Sequence, residues 1–274
     1  MIRPDRDIEN GLRAGRFDDI ARPASWPPWL AWLAHAYTAL GLVLAAGMAV
    51  CIVEGGREAF RWAFVFMLVA CLVDATDGSF ARRLHVKEVL PNFDGAKLDE
   101  IIDFLTFTSL PLALVWRAGL LPAGSEWLLV VALISSAYGF CQVPAKTVDG
   151  YFVGFPSYWN IVAFYLYVLE FPDWLAAATV VLLAILTFVP SYYVYPSRGA
   201  TLSKTTNFLG GVWVVLLAWI LWDLPREELS PQSGPREYDR TLAVVSLFYP
   251  LYYVTISWGI TVRRWYRSRF ARKH

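Results

Sequence analysis

Apolar stretches long enough to cross a bilayer recur along this chain, and no other feature restricts its fold so strongly. A spanning helix needs roughly 20 such residues. Runs with approximate cores at Trp29–Val53, Phe60–Ser79, Leu98–Trp116, Trp127–Gln142, Ser157–Leu169, Trp174–Val194, Phe208–Leu221 and Leu242–Val262 satisfy or approach that length. Between them stand breakers: Gly55 and Gly56, Pro122 to Gly124, Gly150 to Pro156, Pro172, Pro196 to Gly199, and a polar, Pro-containing loop from Asp223 to Arg240. Lipid offers the backbone no hydrogen-bond partners, so each run is expected to be helical. With 57% of its 274 residues apolar and 17% charged, the chain is too greasy for an ordinary soluble domain. The expected fold class is all-α, a polytopic integral membrane bundle of about eight spans. No internal repeat is visible.

The charges that remain are informative by position. If both termini face the cytoplasm, inside segments hold 18 of the 24 basic residues: five before the first span, four from Arg82 to Lys97, then Lys146, Arg198, Lys204 and six in the tail. Residues 1–28 are expected as a cytoplasmic, partly amphipathic lead-in, although a disordered basic terminus fits them equally. Residues 29–262 form the membrane domain and residues 263–274 a basic cytoplasmic tail. Because the basic residues collect at membrane flanks, a net charge of +1 gives no reason to expect a nucleic-acid partner. Cys51, Cys71 and Cys141 are odd in number and lie in apolar segments, which provides neither a disulfide framework nor a metal cluster.

Against this background four aspartates stand out. Asp74 and Asp77 occur in D-A-T-D-G-S-F-A-R; twelve residues later, Asp99 and Asp103 occur in G-A-K-L-D-E-I-I-D. Carboxylates beside hydrocarbon are costly and mark a site. Helical spacing puts Asp74, Asp77, Gly78, Ala81 and Arg82 on one face of the second run, and Gly95, Asp99 and Asp103 on one face of the third. Carboxylates clustered in this way repel unless divalent cations neutralise them, and all-oxygen ligands suit hard metals, Mg²⁺ or Mn²⁺. The fifth run is short and follows Gly154 and Pro156. A helix that starts below the headgroups leaves room for a cavity walled by F-P-S-Y-W-N; a tilted helix with interfacial aromatics is the other reading.

The order D-x2-D-G-x2-A-R, a spacer, then G-x3-D-x3-D resembles the signature of the CDP-alcohol phosphotransferases, with every fixed position matched. The spacer is longer than in most of that superfamily. Together with L-P-N-F-D-G-A-K-L-D-E-I-I-D-F and F-P-S-Y-W-N, it is most similar to the bacterial phosphatidylcholine synthase branch. The likeness begins near Trp32 and extends through the last span.

That resemblance implies the family fold and displacement at phosphorus, in which an alcohol attacks CDP-diacylglycerol and CMP leaves. It implies Asp74, Asp77 and Asp99 as main metal ligands, with Asp103 as general base and additional ligand. Gly78, Ala81 and Gly95 would let the nucleotide lie close, Arg82 would pair with phosphate, and Thr38 and His35 would help hold the nucleotide. For the small residues, close helix packing accounts for the same positions. For His35, a hydrogen-bonded packing role stays open. A choline acceptor would be met by ring faces, with Tyr158 and Trp159 leading and Tyr192 and Tyr195 next, although an interfacial aromatic belt accounts for each singly. The resemblance also implies a homodimer among membrane lipids of a bacterial inner membrane, with the site facing the cytoplasm. Transfer to serine or glycerol 3-phosphate is the rival within the class, and a cation-coupled transporter the rival outside it.

Overall fold

The computed structural model describes residues 26–142, 147, 149–195, 203–224 and 240–271. The amino-terminal lead-in up to residue 25 and most of the polar loop after Asp223 lie outside the described residues. Helix α1, Pro28–Glu54, begins with proline at its first position, where the missing N–H is no loss. It buries Ala31, Ala34, Thr38, Gly41, Ala45, Met48 and Ile52, a stripe at the three-to-four spacing of a helix-pairing face. At Gly55 the chain reverses, and α2, Arg57–Arg83, packs back along α1.

The spacer between the two aspartate blocks is folded. Its short helix α3, Val86–Val89, and its neighbour Leu84 pack on Ala31 and Ala34 at the start of α1. Phe93 meets the rings of His35 and Trp32 at centroid distances of 4.4 and 5.2 Å. Asp94 then caps α4, Gly95–Asp103, its Oδ1 accepting from the N–H groups of Ala96 and Lys97 at 3.2 Å. Helical backbone continues without a break through a π-helix, Phe104–Ser109, into α5, Leu110–Arg117. Thus the third apolar run is three helical segments of two kinds in succession, with the change of pitch starting immediately after Asp103.

The remaining helices are α6 (Trp127–Cys141), α7 (Trp159–Leu169), α8 (Asp173–Leu186), α9 (Ser203–Asp223), α10 (Thr241–Ser246) and α11 (Phe248–Ala271). Met48, Phe64, Leu112, Leu114, Trp159, Leu166 and Ile220 fill the shared core. Four helical stretches among the described residues are long and apolar enough to cross a membrane: Pro28–Glu54, Arg57–Arg83, Lys204–Asp223 and Thr241–Arg267. Trp127–Cys141, Trp159–Leu169 and Asp173–Leu186 are apolar but shorter. Outward faces carry Val53, Trp174 and Trp222, each at least 70% exposed, a distribution that suits lipid and not water. The protein is a multi-pass integral membrane protein.

One expectation is corrected. The sixth apolar run is not one helix to Val194: α8 stops at Leu186, and Tyr192–Val194 is strand β2, paired antiparallel with strand β1, Tyr151–Val153. Tyr-Phe-Val and Tyr-Tyr-Val suit a pleated strand as well as they suit lipid, and hydropathy alone cannot separate the two. Helix α11 continues to Ala271, into the basic stretch that follows the last apolar run.

The free edge of β2 is covered by α11. Ser257 Oγ accepts from the Val194 N–H at 3.2 Å, Thr261 Oγ1 from the Tyr192 N–H at 2.7 Å, and the Tyr253 hydroxyl donates to the Val194 carbonyl at 2.9 Å. Residues 253, 257 and 261 are four apart, so one helix face presents a ladder of hydroxyls to the strand. This satisfies backbone groups that neither lipid nor a third strand would meet. Arg264, further along, pairs with Asp149 and lies 4.4 and 4.5 Å from the ring centroids of Tyr151 and Tyr192.

Candidate active site

Asp74 on α2 and Asp99 and Asp103 on α4 offer carboxylate oxygens that all lie within 4.8 Å of one another. The two α4 residues are one turn apart and partly buried; Asp74 is exposed. Asp77 lines the same cleft, is 6% exposed, and accepts a hydrogen bond from Thr38 Oγ1 at 2.8 Å. Ala70, Val73, Ile102 and Phe107 complete much of the lining. The aspartates expected as a site therefore converge, three as a tight group and the fourth fixed beside them by α1.

This donor set fits a divalent cation. Hard oxygen ligands, closely spaced like charges and an apolar surround together favour one, because no described lysine or arginine side chain lines the cleft to neutralise the group.

The other expected residues fall into different places. Thr38 faces the cleft, but its hydroxyl is committed to Asp77. Gly78, Ala81 and Arg82 lie beyond Asp77 on α2, outside the cleft lining. The Arg82 guanidinium folds back over Gly78 and donates to Ser79 Oγ at 2.9 Å. Gly95 and His35 meet each other: a Cβ at Gly95 would overlap the imidazole. Gly95 thus makes room for a side chain of its own protein. His35 is 7% exposed, and its Nε2 has no hydrogen-bond partner among the described residues.

Of the four aromatic candidates, the structure separates one from the rest. Trp159 is 1% exposed and donates its indole N–H to Ser136 Oγ at 2.7 Å, so it is a core residue, not a cage wall. Tyr192 already has the Arg264 guanidinium against its ring. The Tyr195 ring lies tilted against Phe152, with centroids 4.4 Å apart. Only Tyr158 among these four has ring contact with a residue of the cleft lining, its centroid 6.5 Å from that of Phe107. Its ring also meets that of Tyr253, with centroids 6.2 Å apart.

Sequence reasoning missed Tyr253 and Phe107, and took in Asn160 only as the last residue of F-P-S-Y-W-N. Asn160 is 6% exposed; its Nδ2 lies 3.0 Å from the Sγ of Cys71, one turn before Asp74. Its Oδ1 has no partner among the described residues. An asparagine in an apolar run was a signal that could have been taken up, whereas Tyr253 carries none.

The CDP-alcohol phosphatidyltransferase family model matches residues 31–222, which includes both aspartate blocks and the helices that carry them. The chain belongs to this family. It is similar to the phosphatidylcholine synthase of Pseudomonas aeruginosa, 38% identical over 198 residues that cover 72% of this chain and 82% of the relative. It is also similar to that of Rhizobium meliloti, 36% identical over 189 residues, 68% of this chain and 76% of the relative. For that of Legionella pneumophila the identity is 41% over 175 residues, 61% and 66% of the two chains.

Proposed function

We propose that this protein transfers the phosphatidyl group of CDP-diacylglycerol to choline, giving phosphatidylcholine and CMP, with Mn²⁺ or Mg²⁺ held by Asp74, Asp77, Asp99 and Asp103. The observation that carries the reading is the convergence of Asp74, Asp99 and Asp103 in a chain whose relatives are named phosphatidylcholine synthases. The bound cation supplies charge neutralisation for the pyrophosphate and the departing CMP.

This chain's own residues do the rest. Asp103, one turn beyond Asp99, accepts the proton of the choline hydroxyl as the new oxygen–phosphorus bond forms and the bond to the CMP oxygen breaks. Thr38 holds Asp77 in orientation through its hydrogen bond. Arg82, on a flexible stem beside Gly78, swings to the phosphates and pairs with them. Val73, Ile102 and Phe107 keep the reacting centre partly dry.

The working arrangement is an eight-span bundle formed by residues 29–262 in a bacterial inner membrane. Its lead-in, aspartate site and basic tail face the cytoplasm, and the distribution of Lys and Arg supports that orientation. A homodimer rests on family resemblance.

The test is purified protein supplied with CDP-diacylglycerol, divalent metal and a panel of alcohols, read by CMP release. Release with choline and loss of release in chelator are expected. Faster turnover of serine or glycerol 3-phosphate would reject choline as the acceptor, and full activity in excess chelator would reject the metal.

A further inference from the structure

We infer that the acceptor's quaternary ammonium is held by an aromatic wall that Tyr158, Tyr253 and Phe107 form at the border of the aspartate cleft, with Asn160 beside it. The inference rests on the reading of choline as acceptor and assigns the place where that cation sits.

Phe107 joins the wall to the chemistry, because it lines the cleft with the four aspartates. Tyr158 lies 6.5 Å from Phe107 and 6.2 Å from Tyr253 between ring centroids, with interplanar angles of 55° and 58°. The rings are tilted against one another and not stacked. The ring faces are the negative ends of their quadrupoles, which suits a cation that cannot donate hydrogen bonds.

Tyr253 is also held in place: its hydroxyl donates to the Val194 carbonyl at 2.9 Å. A second observation comes from Asn160, a polar side chain more than nine-tenths buried whose Oδ1 lacks a partner among the described residues. Its Nδ2 contact with Cys71 ties it to α2 one turn from Asp74. A buried acceptor on a residue tied to α2 in this way is suited to the hydroxyl end of a small alcohol, while the rings take the methylated end.

The experiment measures CMP release by Tyr158→Leu, Tyr253→Leu and Phe107→Leu with choline and with its neutral carbon isostere, in which carbon replaces the ammonium nitrogen. Loss of one ring face should raise the choline KM about tenfold, with little change in the KM for CDP-diacylglycerol. It should also shrink the preference for choline over the isostere by a similar factor, which a purely structural defect would not do. Tyr158→Phe keeps the face and should retain that preference. If leucine at 158 or 253 prevents folding, Phe107→Leu, the milder change in the same wall, gives the deciding ratio. An undiminished preference in the folded leucine variants would overturn the aromatic wall while leaving choline as the acceptor. Absence of choline turnover by the wild-type protein would instead overturn the underlying reading.

Discussion

Asp99 and Asp103 belong to α4 and meet Asp74 from α2, through a folded spacer that packs on α1. Tyr158 and Tyr253, at the border of the cleft, come from elements far apart in the chain and depend on the β-ribbon between them. The first region takes its geometry from helical periodicity over short sequence distances. The second takes it from long-range packing that periodicity does not encode. Substitutions should therefore separate the two, with chemistry failing in one region and acceptor recognition in the other.

The largest effects belong to the carboxylates. Asp103→Asn should lower kcat by about 10²- to 10⁴-fold, the usual worth of a positioned general base, while the KM for CDP-diacylglycerol moves little. Equal losses in affinity and turnover would make Asp103 a binding residue. Asp74→Asn and Asp99→Asn should lose both activity and Mn²⁺ binding in the membrane-inserted protein. Retention of metal affinity in either would remove that residue from the ligand set.

Gly154→Ala should be the most damaging change in the ribbon region. Gly154 has φ +84°, and a Cβ there would overlap the backbone carbonyl of Thr187, which cannot rotate away as a side chain would. Strain of this kind costs about 1–3 kcal/mol. The expected result is a lower Tm in detergent, with Mn²⁺ binding preserved in the protein that remains folded; an unchanged Tm would show that the ribbon does not constrain the fold there.

Thr38→Val removes the hydroxyl that bonds Asp77. A hydrogen bond to a charged group contributes about 1.5–3 kcal/mol, so kcat/KM for CDP-diacylglycerol should fall by about tenfold or more. A valine variant as active as wild type would mean that Asp77 needs no positioning from α1. Ser257→Ala leaves the Val194 N–H without its acceptor and should cost about 1 kcal/mol. It should raise the KM for choline a few-fold and leave CDP-diacylglycerol alone, whereas the reverse pattern would dissolve the contrast between the two regions.

Asp149→Asn should matter least. Hydrogen bonds from Thr147 and then Arg264 hold the Asp149 carboxyl below the usual carboxylate range, in an exposed position. A carboxyl depressed by folding stabilises the protein above its unfolded value, about pH 3.9, and that contribution fades as pH falls through the lower folded value. Solvent screening leaves an exposed pair about 0–1 kcal/mol. Thermal stability between about pH 6 and 8 should be nearly the same in Asp149→Asn and wild type, and a large loss there would show that Arg264 depends on this partner more than on the two rings.

Much of the carboxylate region was legible in the sequence because four acidic residues at helical spacing in apolar surroundings are too costly to keep unless they bind something. The helical and membrane character followed from hydropathy in the same direct way. The ribbon was not legible: a run of aromatic and β-branched residues scores as apolar whether it is a buried strand or the end of a span, and Pro190 passed without notice inside Trp174–Val194. Nor could the sequence tell which aromatics face inward. Trp159 and Tyr158 are adjacent, yet one fills the core and the other borders the cleft. The Gly95–His35 contact escaped as well, since each residue was weighed as a neighbour of the nucleotide and not of the other.

The hydroxyl ladder on α11 has a consequence for biogenesis. Tyr253, Ser257 and Thr261 leave the ribosome about 60 residues after β2, which cannot have its outer edge satisfied before they arrive. Synthesis runs from the amino terminus, and earlier segments can settle first. A nascent chain that has released α1 to α5 already contains every residue of the carboxylate cluster. It still lacks the helix that carries Tyr253. The carboxylate cluster is thus complete in sequence before the aromatic wall inferred beside it, and a chain truncated ahead of Tyr253 carries the first without the second.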